Sequence, residues 1–294
     1  MRILVTGGTG FIGGALIPEL TRQGHDILLL SRQVLPCDGV YPSVTSLDQI
    51  SSSERIDAVI NLAGASMAGQ RWNTDYKREL VNSRIDVTKA LVCLVERLET
   101  PPEVIVSASA IGYYGHHDDE KLREDSLPEA GFSQSLCQEW EDALDPAREA
   151  GIRVATLRLG VVLDAGGGAF EQMAGSFRLG VGTWLGSGRQ WLSWIHRRDV
   201  VAAISYVLSD ANLSGPFNVC APEPVTSRDF ARVLSKHYFT LASIPVPAFA
   251  ARLLVGEMAD ELLLRGQRVI PQALQDAGFA FRYPTLDQAV AAIR

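Results

Sequence analysis

Over roughly the first 160 residues, short apolar runs alternate with longer segments whose apolar residues recur at helical spacing. The runs at residues 3–6, 27–30, 58–62, 104–107 and 154–159 predict strands. Several are continuously apolar, as expected for strands covered on both faces. Helical segments between them give the βαβ pattern of a parallel sheet, with right-handed crossovers. After Gly160 the pattern changes. Residues 166–194 are rich in Gly and Trp, a helix is predicted over 200–208 and a strand over 217–220. Beyond Pro222 the segments are short and broken by Pro224, Pro245, Pro247, Pro271 and Pro284. The expected organisation is an α/β chain. Residues 1–165 form the first domain, residues 195–220 return to it, and residues 166–194 and 221–294 form a smaller lobe.

The helix predicted over 74–99 carries one apolar stripe: Tyr76, Leu80, Val87, Leu91, Leu94 and Leu98. Arg84 falls on that stripe. A guanidinium facing a core needs a partner, and both a carboxylate and a ligand phosphate satisfy that need.

The most specific motif is VTGGTGFIGG at residues 5–14. Gly7, Gly10 and Gly13 follow the first strand and open a helix. Gly7 permits the tight turn, Gly10 lets backbone approach a pyrophosphate, and Gly13 allows close packing of helix on strand. The amides around Thr9, Phe11 and Ile12 then face the phosphates at a helix N-terminus. This context predicts dinucleotide binding. The second strand reads DILLLSRQ, so Ser31 and Arg32 stand where an acid would grip the adenosine ribose. Arg32 can pair with a 2′-phosphate that a carboxylate would repel, which favours NADP(H). The alternative is a solvated loop arginine. The stretch Asn61, Leu62, Ala63, Gly64 after the third apolar run has small residues that let a strand end pass close to adenine or ribose. Ordinary tight packing would account for them equally.

The chain of 294 residues carries a net charge of −7 without a long basic run, which argues against nucleic acid as a partner. Its 47% hydrophobic content suits a large core. Cys37, Cys93, Cys137 and Cys220 are scattered without CxxC spacing and read as reduced thiols of a cytoplasmic protein. His116 and His117 are adjacent and lack the spacing of a helical metal site, so no metal is expected. No apolar run reaches the ~18 residues of a membrane span. The MRILVTGG start runs straight into a strand and leaves no room for a signal peptide.

SASAIGYYG at residues 107–115 crowds Ser107, Ser109, Tyr113 and Tyr114 at the end of a buried strand. Hydroxyls there suggest proton handling. Tyr113 and Tyr114 could instead pack at the sheet edge. Glu124, in KLRED, is a further acid but reads as a solvated loop residue.

Together TGGTGFIG, NLAG and the serine-bearing strand ending in YG resemble the extended short-chain dehydrogenase/reductases. RLGVVL, GSGRQWLSWIHRRDV and GPFNVCAP are similar to an atypical branch, the bacterial nucleoside-diphosphate-sugar epimerase family proteins. The resemblance implies a Rossmann-type doubly wound parallel sheet, NADP(H) as cofactor, and a smaller C-terminal substrate lobe. It implies a catalytic serine, whose place Ser109 takes, and a YxxxK on the next helix. The YxxxK does not carry over: Phe132 and Leu136 occupy its two places, and none of the seven tyrosines has a lysine four positions on. Tyr113 and Tyr114 are the nearest substitutes, and with Ser109 they form the expected catalytic set.

Residues 186–199 are the expected substrate wall. Gly186 and Gly188 give a close-approach turn, and Arg189 and Gln190 offer donors. Trp191 and Trp194 offer flat faces for stacking, or else fill a core between lobes. His196 either titrates near neutral pH or makes a structural hydrogen bond. Asp199 reads as a helix N-cap. Arg158 meets either the nicotinamide side or a carboxylate. Two functions stay open. One is an NADP(H)-dependent oxidoreductase or epimerase-like enzyme acting on a nucleotide-sugar or other small carbonyl or hydroxyl compound. The other is an NADP(H)-binding sensor without catalysis. Either would act as a monomer or homodimer, on a small molecule and away from membranes.

Overall fold

The alternation of the apolar runs is resolved into two cores, one on each face of a single sheet. The computed structural model describes residues 1–32 and 41–294; Cys37 lies outside them. The strands are β1 (Arg2–Thr6), β2 (Asp26–Leu30), β3 (Ser43–Val44), β4 (Ala58–Asn61), β5 (Val104–Ala110), β6 (Lys121–Leu122), β7 (Arg153–Leu159) and β8 (Val161–Leu163). They continue with β9 (Val181–Leu185), β10 (Trp191–Leu192), β11 (Trp194–His196), β12 (Gly215–Val219), β13 (Val225–Thr226), β14 (Ala242–Val246) and β15 (Arg268–Val269). The helices are α1 (Gly13–Arg22), α2 (Thr74–Arg97), α3 (Phe132–Asp142), α4 (Asp145–Glu149) and α5 (Gly168–Arg178). After them come α6 (Arg197–Ser209), α7 (Ser227–His237), α8 (Ala248–Val255), α9 (Gln272–Asp276) and α10 (Leu286–Ile293).

Seven strands form one parallel sheet in the order β3-β2-β1-β4-β5-β7-β12. Strand order reverses between β1 and β4, the switch point beside which ligands bind in sheets of this kind. Because side chains alternate along a strand, Ile3, Val5, Ile27 and Leu29 pack with Leu16, Leu20, Ile204 and Val207 of α1 and α6. Leu4, Leu28, Val59 and Ile105 face the other way, onto Leu91, Leu94 and Val95 of α2. A separate core of Phe170, Phe177, Trp194, Phe230, Leu234, Leu286 and Val290 joins α5, β11, α7 and α10. The described residues contain no helix long and apolar enough to cross a membrane.

Two expected boundaries move by three residues. β5 runs three residues past the predicted end, to Ala110, because β7 pairs with it as far as Ala110↔Leu159. The helix predicted over 200–208 begins at Arg197, with His196 as its N-cap. Asp199 therefore sits inside the first turn. Its carboxylate accepts from the amides of Arg282 and Tyr283 at 2.8 and 3.0 Å and ties the C-terminal segment to the sheet domain.

Candidate active site

The carboxyl ends of β1 and β4 are pressed together by glycine. Gly7 has φ +66°, and a Cβ there would lie 2.4 Å from the Leu62 carbonyl oxygen. A Cβ on Gly13 would lie 2.4 Å from the Gly7 carbonyl oxygen. The turn, the start of α1 and the residue after β4 can share this space only without side chains. On the outer side the loop is open: Thr9 and Gly10 are exposed, and the Gly10 amide closes the turn on Gly7 O at 2.9 Å. Ile12 caps α1 without a side-chain hydrogen bond, and the Gly14 and Ala15 amides turn back onto the carbonyls of Gly10 and Ile12 at 2.8 and 3.0 Å. The aromatic ring of Phe11 lies against Gly167 and Gly168. Its carbonyl accepts from Arg197 Nη1 at 3.1 Å, and Arg197 pairs with Asp164 at 2.7 Å. A dinucleotide pyrophosphate fits this cradle: Thr9 and Gly10 are open to solvent, and Gly7, Gly10 and Gly13 put no side chain into the turn.

At the end of β2 the Ser31 amide donates to Val44 O at 3.0 Å, and Arg32 is exposed beside it.

Behind the ledge after β4 lies a buried polar network. Asn61 accepts from Thr6 Oγ1 at 2.7 Å and donates to Thr88 Oγ1 at 2.9 Å and Ser107 Oγ at 3.2 Å. Trp140 Nε1 donates to Thr88 Oγ1 at 3.1 Å. Asn61 and Ser107 thus turn inward, the Leu62 and Ala63 amides donate to the Thr6 carbonyl and hydroxyl, each at 3.2 Å, and Gly64 is exposed. Arg84 has no carboxylate partner among the described residues. Its Nη1 and Nη2 donate to the carbonyls of Leu80 and Ala65, each at 2.9 Å, and its guanidinium stacks on Trp140. Burial pushes its pKa down. Two carbonyl acceptors satisfy the donors without a countercharge, so Arg84 fixes the ledge by holding Ala65.

The hydroxyls of SASAIGYYG separate. Ser109 is 2% exposed and its Oγ donates to Glu141 Oε1 at 2.7 Å. Arg158 grips the same carboxylate with two parallel bonds of 2.9 Å, Nε to Oε1 and Nη2 to Oε2. Arg158 Nη1 also donates to the Tyr114 hydroxyl at 3.0 Å, and that hydroxyl donates to Asn218 Oδ1 at 2.7 Å. Tyr114 is fully buried, and desolvation pushes its pKa far up. Tyr113 is half-buried, with its ring 3.4 Å from the Arg158 guanidinium. Of Arg158's two expected partners, the carboxylate is present. Glu124 is not solvated: its Oε1 accepts from the amides of Asn218 and Ala273, and burial raises its pKa.

The two YxxxK places are apolar in fact as in sequence. Phe132 packs edge-on to Trp72 at 5.2 Å with Lys77 Nζ 4.7 Å above its ring. Leu136 is buried in the same cluster with Leu80 and Met258.

The segment 186–199 is mostly committed to structure. Gln190 Nε2 donates to the carbonyls of Leu185 and Leu263 at 3.0 and 3.1 Å. Trp194 is wholly buried and donates to Glu223 O at 3.0 Å, which makes it core. Trp191 is half-buried, bonded to Asp119 at 2.7 Å, with Arg268 over its ring. Arg189 is exposed on a turn in which Gly186 and Gly188 both have positive φ. His196 does not titrate near neutral pH. Its Nδ1 accepts from the Arg198 amide at 3.0 Å, its ring stacks on Tyr283, and burial lowers its pKa to about 4.

Glu141 escaped the sequence reading. It lies beside Trp140 on the apolar face of α3, a charge on a stripe, the same signal that marked Arg84. Thr6 and Thr88 carried no comparable signal, since small hydroxyls on core faces are common.

Comparison with known proteins adds the family. Residues 3–220 match the NAD dependent epimerase/dehydratase family, and residues 246–293 match a domain of unknown function, DUF1731. The chain is 37% identical over 292 residues to an epimerase family protein of Mycobacterium bovis, covering 98% of this chain and 96% of that one. It is 35% identical over 298 residues to the epimerase family protein YfhF of Bacillus subtilis, covering 99% and 97%. The crystal structure of human epimerase family protein SDR39U1 (isoform 2) with NADPH superposes with a TM-score of 0.88 at 32% identity, covering 100% of this chain and 99% of that one.

Proposed function

The chain belongs to the NAD dependent epimerase/dehydratase family, and on that premise we propose that it binds NADP(H) along the glycine loop and uses it on a small carbonyl or hydroxyl compound, a nucleotide-sugar among the candidates. The observation that carries this reading is the cradle. Gly7 and Gly13 are jammed against neighbouring backbone while Thr9 and Gly10 stay open, and Arg32 stands at the end of β2 in place of an acid. Bound NADPH would supply the hydride, and the chain's residues would orient the substrate and manage the proton.

Tyr113 is the hydroxyl we assign to the substrate, because Ser109 and Tyr114 spend theirs inside the Glu141–Arg158 network. Those two are positioning residues that fix the turn on which Tyr113 stands. Arg189 and the open face of Trp191 are the wall residues left for an anionic or sugar-like group.

One observation favours a second reading. The apolar cluster at Phe132 and Leu136 leaves those positions without an acid–base pair, as a sensor that binds NADPH without turnover would tolerate.

The test combines calorimetry with NADPH and a panel of carbonyl compounds and nucleotide-sugars, followed by absorbance and by product analysis. The latter catches a redox-neutral epimerisation. NADPH binding with turnover that Tyr113→Phe lowers supports the enzyme. Tight binding without any product supports the sensor. Indifference to every pyridine nucleotide sinks both.

A further inference from the structure

Helix α8 is apolar on both of its sides. Ala251 and Val255 turn inward: Ala251 is buried, and Val255 belongs to the cluster of Trp72 and Met258. Phe249 and Leu253, also one turn apart, lie on the opposite side of the helix, and with Leu254 they are 71% to 74% exposed. A helix that is apolar all round belongs in an interior, so α8 lacks a cover. The strand before it shares this exposure. β14 pairs with β9 and with no second strand among the described residues, and Ala242, Ser243, Ile244 and Pro245 are exposed in succession. Phe239 and Leu241, which lead into β14, are 82% and 81% exposed. The exposed Leu179 lies beside them, because the Leu241 amide donates to the Gly180 carbonyl at 2.8 Å.

Seven of the nine large apolar side chains exposed among the described residues therefore belong to residues 239–254 and Leu179. At ~150–250 Å² for a whole aromatic side chain, and less for a leucine, they leave on the order of 800 Å² of apolar surface in water. The largest apolar patch on a typical monomer is about 300–600 Å², whereas about 800 Å² is what each partner gives to a standard protein–protein interface. The charges around the patch are neutralised within the chain. Arg178, Lys236 and Arg252, the cations nearest in sequence, face Glu171, Asp287 and Asp260. A surface built for lipid headgroups keeps its cations free. A surface that meets its own copy must carry little net charge, since the same charge returns from the other side.

We propose that residues 239–254, with Leu179, form the interface of a symmetric homodimer, in which α8 and β14 of one copy pack against those of the other. A two-fold axis brings one patch onto itself, so each copy covers the Phe249 and Leu253 of its partner. α8 opens the region that matches DUF1731, residues 246–293, and self-association gives that region a role apart from cofactor binding. The driving force is the removal of apolar surface from water, so the dimer resists salt as an association held by exposed ion pairs does not. The proposal stands independently of the NADP(H) reading.

The test is sedimentation equilibrium of the full chain. At about 50 μM, above the micromolar upper end for interfaces of this size, the wild type is expected to be a dimer. It stays one at about 0.1 M and at about 1 M salt. Phe249→Glu and Leu241→Glu each put a carboxylate into the covered contact and raise the dissociation constant by about 100-fold or more. Both keep the wild-type circular dichroism, since the two positions are exposed in the single chain. Leu127→Glu, at a leucine 83% exposed outside the patch, is the control that leaves the dimer intact. Vesicles of phosphatidylcholine and phosphatidylglycerol, spun down with the protein, are expected to leave it in the supernatant. A monomeric wild type overturns the proposal, as does a dissociation constant that both glutamate variants leave unchanged. Vesicle binding that Phe249→Glu abolishes also overturns it and assigns the patch to a lipid surface.

Discussion

Arg158 and Glu141 are locked in a buried, two-pronged ion pair on which Ser109 and Tyr114 both depend. Each of the two N–O contacts is 2.9 Å, and the side chains are 4% and 10% exposed. Removing one partner strands the other charge in a low-dielectric interior. Glu141→Ala should therefore destabilise the protein by about 3–5 kcal/mol, read as a shift in the denaturant midpoint. A cost under about 1 kcal/mol, the scale of an exposed pair, would contradict the buried geometry.

Tyr114→Phe deletes a hydroxyl that serves both Arg158 and Asn218. We expect a stability loss of about 1–3 kcal/mol, the cost of leaving buried polar groups unsatisfied. NADPH affinity should stay within about twofold, because the hydroxyl lies inside the fold. A chemical denaturation curve and a binding isotherm on the same sample check both halves.

Arg32→Ala is expected to weaken NADPH binding by about 10- to 100-fold, the worth of a charge-assisted contact to phosphate. NADH binding should change little. Equal weakening of the two cofactors would place the guanidinium away from the 2′-phosphate.

Gly13→Ala puts a methyl 2.4 Å from the Gly7 carbonyl oxygen and 2.6 Å from Gly8 Cα. The start of α1 must then retreat from the turn. Affinity for NADPH should fall at least about tenfold, with about 1–3 kcal/mol of overpacking strain. Gly14→Ala, with open space around its Cβ, is the control expected to leave both unchanged.

His196 gives the pH dependence a sign. Burial lowers its folded pKa to about 4, against about 6.5 in the unfolded chain. The unfolded state therefore binds the proton first as pH falls. The stability that His196 lends is complete above pH ~6.5 and is lost on the way down to pH ~4, with about 2 kcal/mol gone between pH ~7 and pH ~5. His196→Asn keeps a capping acceptor and does not titrate, so its unfolding free energy should depend less on pH over that interval. Parallel curves for the two proteins would refute the assignment.

The frame of the protein was legible in the chain because strands and glycine turns are local. The runs of β1, β2, β4, β5 and β7 are apolar on consecutive residues, and a sheet buried on both faces requires just that. GxxGxxG between strand and helix announced its backbone geometry because only glycine allows those approaches. The Arg32 position followed from the same register. Arg84 and Arg158 were each marked as charges in need of a partner, and counting positions could not say which.

Sequence alone determined the sheet, the glycine loop and the loss of YxxxK, since each is a matter of residue type at fixed local spacing. Tertiary structure alone decided which polar groups are spent. Glu141 reaches Arg158 from 17 residues away, Asn61 reaches Ser107 across 46, and Glu261 reaches the Ser133 amide across 128. A hydroxyl or an imidazole becomes a structural bond or a free chemical group according to what the fold brings within ~3 Å of it. That distance has no expression in the order of residues along the chain.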